Sequence, residues 1–201
     1  MSEPGVQIAG GMMLPDEYFD DFRREFWTDN RGVSWKFERR QEFVEPEDES
    51  WAASRRGQWH ESLRILESRR KSIADYERRM ARNGIEVRRV RVVEKPVSAY
   101  LLWELSSLDI RHRCGGKIRV VDGSHVAPFE RDGPLPELFL IGDKVVYQVV
   151  YDESGTLQGA VKSTEVDAVR HWTAFVRHLY DLGEELDSYF EREVAGLIPH
   201  C

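Results

Sequence analysis

Residues 86–105 read EVRRVRVVEKPVSAYLLWEL, and this stretch constrains the fold more than any other. Val87, Val90, Val92 and Val93 predict a strand over 85–93, bounded by Gly84 and Pro96. Pro96 cannot donate a ladder hydrogen bond and suits the first turn of a helix. Val97, Tyr100, Leu101, Trp103, Leu105 and Leu108 then recur at helical spacing. After a break at Cys114-Gly115-Gly116, KIRVVD (117–122) predicts a second short strand. Strand, helix and strand in that order fit a parallel crossover, so a mixed α/β domain is expected.

Upstream, Tyr18, Phe19, Phe22 and Phe26 predict an aromatic helix starting near Asp16, and 33–44 an irregular strand. Trp59, Leu63, Leu66, Ile73, Tyr76 and Met80 form one apolar stripe, which predicts a single basic helix over 58–83. Downstream, ELFLIG (137–142), KVVYQVVY (144–151) and TLQGAV (156–161) are separated by turn residues and predict a meander. Val166, Val169, Trp172, Val176 and Leu179 predict a last helix, capped by Ser163 or Thr164, kinked at Gly183 and extended through Val194. The expected architecture is a central mixed sheet with a C-terminal antiparallel meander, covered by helices. It forms one domain over 15–201 behind a flexible leader at 1–14.

Charge is distributed unevenly. Residues 55–91 hold twelve Lys/Arg against five Asp/Glu, inside a chain of net charge −7. That acidity disfavours nucleic acid as a partner. No apolar run reaches the roughly 20 residues needed to cross a bilayer, no secretory signal is evident, and two cysteines make no disulfide framework. A cytoplasmic protein is expected. No nucleotide-binding, hydrolase or metalloprotease motif is present. His171 and His178, seven apart on a helix, would stand roughly 10 Å apart, too far to share a metal. No metal and no cofactor are expected.

The stretches RRVRVVEKPVSAYLLWEL (88–105), GGKIRVV (115–121) and ELFLIGDKVVYQVVYDESGTLQGAV (137–161) together resemble an actinobacterial domain family of unknown function. The resemblance spans roughly residues 16–175 and places recurrent family positions at Arg89, Arg91, Pro96, Tyr100, Glu104, Gly116, Arg119 and Asp143. It implies a phospholipase-D-like fold and genes placed beside small helix-turn-helix regulators. The catalytic His-x-Lys-x4-Asp pattern of that fold is missing, since no histidine here is followed two residues later by lysine. The chain departs from the family at Lys117, at FLIGD (139–143) and in its longer C-terminus.

Strand alternation puts Arg89 and Arg91 on one face. Arg119 is expected to join them from the neighbouring strand, with Tyr100 and Glu104 arriving from one helical face. One reading is a buried ion-pair network. The other is an anion site of Arg89, Arg91, Arg119 and Tyr100, with Glu104 as the candidate catalytic group. The basic helix reads by default as a solvated face; the alternative is an interaction surface for an acidic partner or RNA, with a protein preferred and Arg64, Lys71, Arg78 and Arg82 as the candidate binding residues. The function expected is a non-catalytic binding or regulatory module acting with a protein such as a transcriptional regulator. The alternative is an enzyme of specialised metabolism that binds a phosphate or carboxylate substrate.

Overall fold

A computed structural model describes residues 7–28 and 30–199. One eight-stranded mixed sheet organises the chain, in the order β1-β7-β6-β5-β2-β3-β4-β8. Its parallel centre is β2 (Gly32–Glu38), β3 (Ile85–Val93) and β4 (Lys117–Asp122). The meander β5 (Glu137–Ile141), β6 (Val145–Tyr151) and β7 (Leu157–Ser163) continues antiparallel from β2. The two-residue strands β1 (Met12–Met13) and β8 (Glu184–Glu185) close the edges. Part of the stretch expected as a leader is therefore sheet, while residues 1–6 lie outside the described residues. Among the described residues no helix is long and apolar enough to cross a membrane.

Each face of the sheet carries its own core. On one, Trp35, Phe37, Val90, Val92, Val121, Leu138, Leu140 and Val146 pack against helix α7 (Val166–Leu182) through Trp172, Phe175, Val176 and Leu179. On the other, helix α1 (Pro15–Thr28) lays Tyr18, Phe22 and Phe26 over Phe139, Ile141, Val145 and Tyr147. Lys162 pins that helix with ion pairs of 2.7 Å to Asp21 and 2.8 Å to Glu25.

Helix α5 (Ala99–Arg113) is buried nearly all round, and the single turn α6 (Gly123–Val126) follows β4. Leu101, Leu105 and Leu108 face Ile118, Val120 and Leu186, whereas Tyr100, Trp103 and Ile110 face Leu66 and half-buried Trp51 and Ile73. A helix apolar on every side belongs inside a core.

Three expectations need correction. The stripe over 58–83 is carried by two helices, α3 (Trp59–Ser68) and α4 (Arg70–Arg82), preceded by α2 (Glu49–Arg55). At the joint the Ser68 hydroxyl bonds the Ile65 carbonyl, and the Arg69 N–H, its ladder partner, bonds the Leu66 carbonyl instead, at 3.1 Å. Arg69 itself is drawn to Asp48, at 2.7 Å. The last helix ends at Gly183 instead of kinking there, because the chain turns against β4. A Cβ on Gly183 would meet the Arg119 Cβ at 3.0 Å and the Val120 carbonyl oxygen at 3.2 Å. Glu165, not Ser163 or Thr164, takes the cap position of α7, with no side-chain cap bond.

The β1–β7 pairing also rests on a glycine. Gly159 has φ +131°, and a Cβ there would sit 1.9 Å from the Met13 carbonyl oxygen. Gly159→Ala should therefore unseat β1 and cost more than about 1 kcal/mol. An unchanged thermal midpoint would refute this role for Gly159.

Candidate functional site

The register of the parallel strands places Lys36 beside Arg89 and Glu38 beside Arg91, all on the face covered by α1 and α5. Glu38 is nearly sealed, and its two oxygens divide between Lys36 at 2.5 Å and Arg89 at 2.9 Å. Burial alone would raise its pKa, but the Arg89, Lys36 and Arg91 cations together hold it down to about 2.

Arg91 is fully buried. Its Nε donates to Glu104 Oε2 at 2.8 Å and its Nη1 to the Val92 carbonyl at 2.9 Å. Among the described residues Nη2 finds no hydrogen-bond partner; the Phe43 ring lies 6.0 Å from the guanidinium carbon, and the Glu38 and Glu137 carboxylates add to the pull of Glu104 on its charge. Burial outweighs the pull of Arg91 and leaves the Glu104 pKa raised. Nearby, buried Glu137 accepts the backbone N–H groups of Arg39 and Arg40 at 2.9 and 2.6 Å. Burial pushes its pKa up to about 7.

Arg119 does not belong to this group. It stands opposite Val90 in the β3–β4 register, whereas Arg91 stands opposite Val120, so Arg119 projects to the α7 face. There it binds Glu185 at 2.8 Å and lies over the Tyr180 ring.

Beside the sealed cluster, the same face opens into a cleft of about 510 Å3, within the range of small-molecule sites. The sheet supplies its floor through Lys36, Val87, Arg89, Ile118, Phe139, Val149 and Tyr151. One wall is α1, with Tyr18, Phe19 and Phe22. The other is Tyr76, Glu77 and Met80 of α4 with Arg111 from the end of α5, and the loop residues Phe43, Val44 and Glu45 close one end. Phe22 meets Phe139 edge-on at 4.7 Å, and Phe43 lies 4.8 Å from Tyr151.

The cleft's cations keep donors to spare. Among the described residues Arg89 hydrogen-bonds only through Nη1, to Glu38, and Arg111 only through Nη1, to Glu77 at 2.6 Å. Burial raises the Glu77 pKa against the pull of Arg111. The arrangement can take an acid group on two guanidinium edges and a ring among aromatic walls.

Of the site residues read from the sequence, Arg89 alone lines this cleft. Arg91 and Glu104 lie behind it as a closed pair, and Tyr100 reaches its edge only through a hydroxyl that bonds Glu45 at 3.2 Å. Lys36, Arg111, Glu77 and the aromatic walls were not expected, since the sequence does not show which strands are neighbours.

On the basic helices Arg64 pairs with Glu61, and Lys71 and Arg78 with Asp75. Arg82 has no carboxylate partner among the described residues. Among the described residues no three His, Cys, Asp or Glu side chains converge on a metal-sized site.

No curated protein matches the chain with significant similarity. Residues 20–191 match the family model described as "Domain of unknown function (DUF6879)", and the chain belongs to that family.

Proposed function

We propose that the protein is a non-catalytic binding domain for a small molecule that joins an aromatic body to an acid group. In this reading it reports the ligand to a protein partner such as a transcriptional regulator. The observation that carries the ligand half is the cleft itself, where aromatic walls face Arg89 and Arg111, each with unused donors. The partner half rests on the resemblance of 88–105, 115–121 and 137–161 to domains encoded beside helix-turn-helix regulators. Glu104, the one candidate catalytic group, is consumed by Arg91 behind the cleft floor, which favours binding over turnover.

Calorimetric titration with 3-(2-naphthyl)propionate tests the ligand half. At typical ligand efficiencies a probe of this size should bind with a Kd on the order of tens of micromolar. Arg89→Met and Arg111→Met should each weaken it about tenfold, and Arg170→Met, at an exposed position on the opposite face of the sheet, should leave it unchanged. Equal binding by all three variants would place the probe elsewhere and sink the reading.

A further inference from the structure

One group in the cleft has no counterpart in an aromatic acid. Glu45 lines the end walled by Phe43 and Tyr151, and among the described residues its carboxylate has no cation within ion-pair distance. Its one hydrogen bond comes from the Tyr100 hydroxyl, at 3.2 Å. The charged groups around it are otherwise occupied. Asp48 is held by Arg69, Glu104 by Arg91, and Lys36 by Glu38. Glu45 is thus the carboxylate of this group left without a counter-charge, half-buried beside two aromatic rings. A partly buried carboxylate without a cation is costly. Carboxylate and ring faces together are the chemistry that receives an ammonium group.

We infer that the ligand carries an amine as well as its acid and its ring, an aromatic molecule of the amino-acid class, with Glu45 receiving the ammonium while Arg89 and Arg111 take the acid. This inference rests on the binding reading above and adds the second charge.

Calorimetry with three probes tests it: 3-(2-naphthyl)alanine, 3-(2-naphthyl)propionate and 2-(2-naphthyl)ethylamine. Near neutral pH the alanine derivative should bind about tenfold tighter than the propionate, the gain expected of one charge-assisted hydrogen bond, and the amine should bind weakest. In Glu45→Gln the ratio of the first two affinities should fall to near one, and Glu45→Asp should keep part of it. Burial raises the Glu45 pKa, with Glu104 and Asp48 adding to the rise and Tyr100 and Lys36 opposing it. The affinity of the alanine derivative, whose own carboxylate stays ionised, should therefore also fall in the native protein as the solution is acidified and Glu45 takes up a proton, and fall less in Glu45→Gln. A propionate that binds as tightly as the alanine derivative overturns the amine subsite and leaves the cleft reading standing. Failure of both acids to bind overturns the cleft reading and this inference with it.

Discussion

Arg91→Met should destabilise the protein by about 3–5 kcal/mol, because it strands Glu104 in the core without a counter-ion. Glu104 is 7% exposed, and its hydrogen bond and ion pair both go to Arg91. The double variant Arg91→Met, Glu104→Leu should recover most of that loss, since a buried ion pair replaced by apolar groups of similar size is often close to neutral. Glu104→Gln should lower stability while leaving the affinity of the naphthyl acid within about twofold, as expected of a pair that braces the cleft floor from behind. Urea unfolding of the single and double variants checks the arithmetic. An Arg91→Met loss under about 1 kcal/mol would contradict a tightly coupled buried pair.

Glu137→Gln should stabilise the protein above neutral pH by up to about 3 kcal/mol. The Glu137 carboxyl titrates near 4.5 when unfolded and at about 7 when folded. Between those values the folded chain keeps a proton that the unfolded chain has released. Stability from this group therefore falls as pH rises through that window and is level above it.

Glu38 has the opposite sign. Its folded pKa lies at about 2, below the ordinary 4.5, so its contribution is complete above the unfolded pKa and is lost as pH falls toward 2. The two together place the stability maximum at roughly pH 5. Glutamine can still accept the Arg39 and Arg40 N–H groups, so the variant should flatten the decline between pH 5 and 7 at little structural cost. A native-like decline in Glu137→Gln would assign the slope to other groups.

Much of the fold was legible where runs are short and sharply bounded. The Val-rich strand after Gly84, KIRVVD after Gly115-Gly116, and the meander around Gly142-Asp143 and Ser154-Gly155 all appear where alternation and turn residues place them. The joint at Arg69 was invisible because the apolar stripe runs through it, while the break coincides with the Ser68 hydroxyl on the Ile65 carbonyl and with the pull of Asp48, distant in sequence, on Arg69.

The candidate site was legible only within single elements. Alternation puts Arg89 and Arg91 on one face, and the helix phase brings Glu104 to Arg91. The face of Arg119 depends on register between strands, where a slip of one residue reverses every side chain. Val120, not Arg119, stands opposite Arg91. The cleft was less legible still. Lys36 meets Arg89 only because β2 and β3 are neighbours, and Phe139 and Tyr151 join them from the meander.

The most direct test of the cleft is crystallographic. Crystals soaked with 6-bromo-2-naphthoate should show an anomalous bromine peak between Phe22, Phe139 and Tyr151, with the carboxylate within hydrogen-bond distance of Arg89 or Arg111. A bromine peak outside the cleft, or an empty cleft at a saturating concentration that calorimetry has established in solution, would contradict it.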